Sequence, residues 1–576
     1  MEYLEKYNEW CRNEIFDEET KAELKSIEGN DEEIKDRFYK DLEFGTAGLR
    51  GIVGIGTNRM NKYTVGKATQ GLANFIIEKN GQNAGVAIAY DSRHMSKEFC
   101  ELTALILNAN GIKTYIFDSL RPTPVLSFTV KHLKCTAGIV ITASHNPPKY
   151  NGYKVYWKDG SQIFGDIDKG ITEKVKEIDD FGKIKVLNKQ DAINKGLFNV
   201  LGKEIDDAYV NAVKGASINP EIIKEHGKEL KIVYTPLHGT GYNFACRVLT
   251  ELGFSDFNVV ESQKEPNGDF PTVSYPNPED PKAFDLALKY AKEIGADVVV
   301  ANDPDADRIG IHVKDDKTGE YILFNGNMIG LTIAEYIISQ NKKKGTLPEN
   351  AALIKTIVSS KMTDAICKYY GIDMYEVLTG FKNIAAKIRE FEANDNKNKC
   401  IMGYEESYGC LIGDHARDKD GIIAFMFLCE AAIVYKQEGL TLWDKMQEMY
   451  SRYNCYREDQ IAITLEGADG AEKIQNMMKN MRENPLKTIG KYNVIKLTDY
   501  STSISKNLST GDEQTVDLPK SNVLRYELEN DNWFCVRPSG TEPKIKFYMG
   551  VKSKDLETAE IELKTLKSEV KKLTEI

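Results

Sequence analysis

The sequence predicts an α/β protein of several domains, and three observations carry that prediction. One pattern recurs along the chain: a short apolar run rich in β-branched residues breaks off at a polar loop, and a helix-like stretch follows. Its copies are Gly85–Arg93, Ala137–His145, Leu230–Gly239, Ala296–Asp303 and Lys399–Glu406. The runs are continuous rather than alternating, as expected of strands covered on both faces, and such strands alternating with helical patterns build mixed, largely parallel sheets. A chain of 576 residues also corresponds to about three to five domains at roughly 100–200 residues each. Ligands of such sheets bind beyond the carboxyl ends of the strands, so the informative residues lie where each run breaks.

Taken in order, residues 1–41 are highly charged, with Tyr3, Leu4, Tyr7, Trp10 and Cys11 at helical spacing. They predict a helical segment that packs on the first domain, since Trp10 and Phe38 need cover. A charged helix starting at Lys203–Tyr209 places a break near 205. Asp315–Glu320 places another near 318, and a third falls near 450, before Tyr453–Tyr456. The expected domains are therefore 1–205, 206–318, 319–450 and 451–576. The last differs in character, with strands at 458–465 and 531–549 and amphipathic helices at 468–482 and 555–574, and reads as an α+β domain. Lys342–Lys344 reads as a solvated turn.

The 76 Lys+Arg against 87 Asp+Glu give a net charge of −11. An acidic chain lacks the basic face of a general nucleic-acid binder. Ten cysteines, none spaced C-x-x-C, argue against a zinc ribbon or a disulfide scaffold and fit reduced thiols. The first residues lack the basic-then-apolar pattern of a signal peptide. The longest apolar run, Ile422–Cys429, is far short of the ~20 residues that span a bilayer. The expectation is a cytoplasmic protein with no membrane or nucleic-acid partner.

Five loops carry chemistry. Thr142–Pro148 places Ser144 and His145 at a strand end, stopped by Pro147-Pro148, with Lys154 ten residues after Ser144. Alone it reads equally as a catalytic loop or a Pro-terminated turn. Asp303-Pro-Asp-Ala-Asp-Arg308 sets three carboxylates at i, i+2 and i+4 directly after an apolar strand. Convergence of Asp303, Asp305 and Asp307 calls for a cation. The open remainder of the shell suits Mg²⁺ held together with a substrate phosphate, against the alternative of a solvated acidic turn. It is not an EF-hand, because Arg308 stands where Gly is required.

Arg537-Pro-Ser-Gly-Thr-Glu-Pro-Lys544 offers two hydroxyls, a glycine and flanking cations, as a phosphate cradle does, though Ser-Gly-Thr is also turn chemistry. Gly403–Gly409, followed by Asp414–Gly421, can exchange hydrogen bonds with sugar hydroxyls or be a charged surface loop. Gly45–Gly51 is a Gly-rich turn that presents Arg50. No P-loop, H-E-x-x-H, G-x-S-x-G or G-x-G-x-x-G is present, which excludes several other enzyme classes.

Together, and in this order, the five loops resemble those of the α-D-phosphohexomutase superfamily over the chain from about Gly45 to its end. Arg37–Gly51 and Phe270–Glu279 are similar to its longer phosphoglucomutase branch, which includes phosphopentomutase-like members. The Glu-Glu-Ser form of the sugar loop is similar to glucomutases. Pro304 departs from the pattern, since many relatives carry Gly there. The resemblance implies four domains around a central cleft, three related α/β units and a mobile C-terminal α+β lid.

It further implies that Ser144 is phosphorylated at rest. One Mg²⁺ per chain would be held by Asp303, Asp305, Asp307 and phosphorylated Ser144. Arg50, His145, Lys154 and Arg308 would assist at the transferring group, with Lys419 as candidate general acid/base. Thr379, Gly380, Glu405 and Ser407 would hold sugar hydroxyls, and Arg537, Ser539, Gly540, Thr541 and Lys544 the phosphate that is not reacting. The implied reaction interconverts α-D-glucose 1-phosphate and glucose 6-phosphate through glucose 1,6-bisphosphate. Mannose or pentose phosphates, bisphosphate synthesis, a phosphatase and a non-catalytic sugar-phosphate binder are the alternatives. Whether the protein is a monomer or a homodimer is left open.

Overall fold

A computed structural model of the chain describes residues 2–44, 48–393, 398–465, 467–539 and 544–573. The N-terminal segment forms three helices, Glu2–Arg12, Glu18–Ser26 and Asp31–Phe38. Their apolar residues gather into one cluster with Ile55. Trp10 stacks on Phe16 at 4.2 Å and meets Tyr63 and Phe181 edge-on at 5.5 Å each. Tyr63 and Phe181 lie within the stretch expected to form the first domain, so this segment covers it as the sequence predicted.

The first of two compact units comprises Met1–His312 and Gly409–Ile433. Its larger sheet contains β1 (Gly48–Ile52), β2 (Val86–Tyr90), β3 (Thr114–Phe117), β4 (Ala137–Ile141), β5 (Tyr150–Trp157) and β6 (Phe198–Leu201), in the order β1-β5-β4-β2-β3-β6. The strands β4, β2, β3 and β6 run parallel, with β6 at one edge, while β5 pairs antiparallel with β4 and β1 antiparallel with β5 at the other. Every residue of β2 and β4 is buried, the outcome that their unbroken apolar runs predict. A second sheet contains β7 (Ile232–Thr235), β8 (Phe257–Val259), β9 (Val298–Asn302) and β10 (Ile309–Lys314), in the order β10-β9-β7-β8. Its parallel strands β9 and β7 are likewise buried throughout.

The second unit comprises Val313–Tyr408 and Val434–Ile576. After β11 (Tyr321–Phe324) come the parallel strands β12 (Ala351–Thr356), β13 (Asp373–Val377) and β14 (Lys399–Glu405), with β12 in the middle. The chain re-enters the first unit at β15 (Gly409–Ile412) and the buried helix Gly421–Gln437.

The C-terminal part of the second unit is an antiparallel sheet. It contains β16 (Cys455–Thr464), β17 (Thr488–Ile489), β18 (Tyr492–Asp499), β19 (Ile504–Asn507), β20 (Glu513–Thr515), β21 (Leu524–Leu528), β22 (Trp533–Pro538) and β23 (Lys544–Ser553). The order is β16-β23-β22-β21-β18-β19-β20, with β17 paired to β18. The helices Gly467–Glu483 and Leu556–Lys572 accompany it, which gives the tail its predicted α+β character.

Two local expectations are corrected. Lys342–Lys344 is no turn but the last turn of the helix Gly326–Lys344, closed by Gly345 in a left-handed conformation at φ 70°. Three cations there complement the negative end of the helix dipole. Arg50 lies within β1, opposite Gly152 of β5, rather than on a turn, and Gly45–Ala47 lie outside the described residues.

Trp10 is 3% exposed and is the hub of the N-terminal aromatic cluster. Trp10→Ala should therefore lower the stability of the unit it covers by about 3–5 kcal/mol. Urea unfolding followed by circular dichroism measures this, and an unchanged midpoint would contradict the packing.

Candidate active site

The sheets of the first unit bring two loops face to face. β4 ends at Ile141, and Ser144 follows in a left-handed backbone conformation, φ 52°. That geometry costs a non-glycine residue about 1–3 kcal/mol and persists only where surroundings enforce it. The Ser144 N–H donates to Thr142 Oγ1 at 2.8 Å, and Ser144 Oγ donates to Asp303 Oδ2 at 2.8 Å, with His145 Nδ1 at 3.1 Å from the same hydroxyl. β9 ends at Asn302, so Asp303 is the first residue beyond its carboxyl end.

Asp303, Asp305 and Asp307 each offer an oxygen within 4.8 Å of the others, and all three are buried. The loop is held by its own backbone. Ala306 N–H donates to Asp303 O at 2.9 Å with Ala306 left-handed at φ 52°, and Arg308 N–H donates to Asp303 Oδ1 at 3.1 Å. Pro304 is accommodated because its carbonyl accepts from Thr240 N–H at 2.8 Å and Thr240 Oγ1 at 3.0 Å, while Gly239 packs on it. A Cβ at Gly239 would lie 2.4 Å from Pro304 Cα.

Cations partly offset the three carboxylates. Lys154, reaching from β5, donates to Asp305 Oδ2 at 2.8 Å and lies 3.8 Å from Asp307. Lys419 Nζ is 3.2 Å from both Asp307 and Asp418. Burial, then the charges of Asp305 and Asp307, push the Asp303 carboxyl well above its ordinary range. Burial and Asp305 push Asp307 up as well. Burial opposes ionisation of Asp305 too, but the Lys154 ammonium outweighs it and holds that carboxyl low. Asp305 Oδ1 and Asp307 Oδ1 are buried and accept no hydrogen bond. Orphaned carboxylate oxygens beside a serine hydroxyl form a hard, oxygen-only donor set, which fits a divalent cation such as Mg²⁺.

His145 is held well below its ordinary value by burial and then by the charges of Arg308 and Arg50. The imidazole is thus neutral beside Ser144, and both guanidiniums are close enough to be felt there. Arg308 is itself engaged by Glu279 at 2.5 Å.

Sequence reasoning singled out neither Asp418 nor Arg93. Asp418 Oδ2 accepts from Tyr156 OH at 2.7 Å and Gln162 Nε2 at 2.9 Å, which seats the carboxylate that orients Lys419. A Cβ at Gly409 would come 2.1 Å from Lys419 Cδ, so the lysine passes where only glycine leaves room. Arg93 donates to main-chain carbonyls of the Ser144 loop. Its signal was its place just beyond the carboxyl end of β2.

In the second unit, Gly380 N–H donates to Glu405 Oε1 at 2.9 Å, and Asn383 Nδ2 donates to Thr379 O at 2.9 Å. Thr379, Gly380 and Glu405 are thereby joined, with Ser407 half-buried just beyond β14. Arg537, Ser539 and Lys544 lie where β22 turns into β23, and Ser539 N–H donates to Lys544 O at 2.7 Å. Gly540 and Thr541 lie outside the described residues. Burial and then Glu406 push the Tyr548 phenol up while Arg537 draws it down, so charges from both loops reach one side chain.

Four family profiles match the chain. These are Phosphoglucomutase/phosphomannomutase, alpha/beta/alpha domain I over residues 41–181, domain II over 207–318, domain III over 325–453, and the C-terminal domain over 506–564. A phosphoglucomutase of Staphylococcus haemolyticus (strain JCSC1435) is 36% identical over 514 residues, 89% of this chain and 91% of that one. One from Staphylococcus aureus (strain MRSA252) is 37% identical over 529 residues, 92% and 93% of the two chains.

Among solved structures, the exocytosis-sensitive phosphoprotein pp63/parafusin (phosphoglucomutase) of Paramecium, in its open form, shares the fold with a TM-score of 0.68 at 17% identity, covering 93% of this chain and 96% of that one. A phosphoglucomutase/phosphomannomutase family protein of Burkholderia thailandensis does so with a TM-score of 0.64 at 19% identity, covering 92% and 97%.

If the carboxylate triad holds a divalent cation, Mg²⁺ should bind the purified protein with one strong site per chain. Asp305→Asn should weaken that binding by at least about tenfold, since it replaces a charged oxygen donor with a neutral amide. Isothermal titration calorimetry decides this without reference to catalysis.

Proposed function

This chain belongs to the phosphoglucomutase/phosphomannomutase family, and from that membership we propose that it interconverts α-D-glucose 1-phosphate and glucose 6-phosphate through a phosphoserine enzyme and a glucose 1,6-bisphosphate intermediate. It carries the four domains of that family and is an enzyme, a phosphotransferase mutase of sugar metabolism. We place the domain boundaries near 205, 318 and 450. Among the described residues, no helix is long and apolar enough to cross a membrane.

The observation that carries the reading is Ser144. Its hydroxyl stands in a strained left-handed turn 2.8 Å from one of three clustered buried carboxylates. At rest Ser144 Oγ carries a phosphoryl group, which passes to the free hydroxyl of a hexose monophosphate. The resulting bisphosphate turns over in the site and returns its other phosphate to Ser144. Phosphoryl transfer demands chiefly in-line positioning and neutralisation of oxygen charge.

Lys154, Arg50 and Arg308 supply positive charge to the transferring group. The neutral His145 accepts or donates one hydrogen bond beside Ser144 Oγ. Lys419, oriented by Asp418, holds the proton of the sugar hydroxyl that attacks or leaves. Asp303, Asp305, Asp307 and the oxygens of phosphorylated Ser144 would hold Mg²⁺, which would supply divalent charge to the phosphoryl oxygens. Thr379, Gly380, Glu405 and Ser407 hold sugar hydroxyls, and Arg537, Ser539, Gly540, Thr541 and Lys544 grip the phosphate that is not reacting. The relatives' names favour glucose as the sugar, while the family name also covers mannose.

Ser144→Ala should abolish mutase turnover while leaving the fold intact, and intact steady-state activity in that variant would sink the assignment. EDTA should stop the wild-type enzyme and Mg²⁺ should restore it. The sugar is decided by comparing kcat/KM for glucose, mannose and ribose 1-phosphates, with and without glucose 1,6-bisphosphate. Glucose 1-phosphate should be preferred, and a higher value for ribose 1-phosphate would overturn that choice.

A further inference from the structure

Arg93 has no part in the scheme above, yet its surroundings are those of a working group. The Arg93 and Asp91 side chains are fully inaccessible to solvent, with Nε 3.3 Å from the carboxylate. Arg93 Nη1 donates to the carbonyl oxygens of Pro147 at 2.9 Å and Tyr150 at 3.1 Å. Nη2 donates to that of Ser144 at 2.6 Å and to that of Asn146. All four acceptors are main-chain oxygens of the segment from Ser144 to Tyr150, the first residue of β5, and one belongs to Ser144 itself. Asp91 Oδ1 accepts from Arg93 N–H at 3.0 Å and from Ser96 Oγ at 2.8 Å, which fixes the base of the guanidinium. The Phe270 ring covers its face at 5.0 Å.

The Ser144 loop turns through a left-handed residue and runs into Pro147-Pro148, so the carbonyls of Ser144, Asn146 and Pro147 lie outside the strand ladders. A guanidinium presents five donors in a planar fork and can serve several diverging acceptors at once, which a lysine ammonium cannot match. Its charge also interacts with Asp305 and Asp303 across the site.

We infer that Arg93 is a positioning residue for phosphoryl transfer. It clamps the 144–150 loop from beneath and keeps Ser144 Oγ aimed at the carboxylate triad through each round of phosphorylation and dephosphorylation. This rests on the reading of Ser144 as the phosphorylated residue.

The test uses full-length wild type, Arg93→Lys, which keeps the charge and loses the fork, and Arg93→Gln, which loses both. Thermal unfolding, steady-state kinetics, hydrogen exchange of amides 142–150 and intact-protein mass spectrometry are recorded for each. Arg93→Lys should unfold cooperatively, lose about 100-fold in kcat with little change in KM, and show faster exchange confined to the loop. It should also carry less phosphate on Ser144 than wild type at equal glucose 1,6-bisphosphate. Wild-type kcat in Arg93→Lys would overturn the inference. So would a loss that appears only in KM, or failure of both variants to fold, which would make Arg93 a core residue. Wild-type protein that never carries phosphate on Ser144 would instead fail the phosphoserine reading on which the inference stands.

Discussion

Three carboxylates buried within 4.8 Å of one another are the constraint around which the first unit is organised. Like charges removed from water raise each other's cost of ionisation, and burial adds to it. Such a cluster persists only where opposite charges and hydrogen bonds face it from other elements. Here they come from distant points of the chain: Lys154 from β5, Lys419 from the segment after β15, Thr123 Oγ1 at 2.9 Å from Asp305, and Ser144 from the loop after β4. The two oxygens still without a hydrogen bond mark the unsatisfied remainder. That remainder is a hard, oxygen-only set of the kind that takes a divalent cation.

The architecture makes this meeting possible because parallel strands end on one side of their sheet, and loops beyond those ends are freed from the ladder. β2, β4 and β9 deliver Arg93, Ser144 and Asp303 in this way. Lys419 arrives differently. Asp418, bound by Tyr156 and Gln162, and Asp420, bound by Tyr209 OH at 2.8 Å and with the His415 ring at 2.7 Å, anchor the residues on either side of it. A flexible side chain is thereby presented from a fixed backbone.

Much of this was legible in the residues. Unbroken apolar runs such as Val86–Tyr90 and Ala137–Ile141 carry their own secondary structure, because two-sided burial leaves no reason to alternate. The i, i+2, i+4 carboxylates of Asp303–Asp307 predicted convergence on one point, and the structure brings the three together out of solvent. Lys342–Lys344 misled because three lysines look like a loop until the preceding helix is seen to extend to them, stabilised by the dipole that they complement. Arg93 and Asp418 carried no legible motif. Their meaning lies in partners dozens or hundreds of residues away, Ser144 for the one and Tyr156 for the other.

The sequence by itself determined the alternation of strands and helices, the distinct C-terminal α+β part, and the loops that carry the candidate site, since each depends on residues close together in the chain. Tertiary structure alone decided which charges answer which. Lys154 pairs with Asp305, Lys419 with Asp307 and Asp418, Arg308 with Glu279, and Arg93 with the Asp91 carboxylate and the carbonyls that follow Ser144. Electrostatic energy depends on distance and on the water excluded between groups, and neither exists until strands far apart in sequence lie side by side. The net charge of −11 therefore describes the whole chain but says nothing of this site, where acids and bases are matched one against another out of solvent.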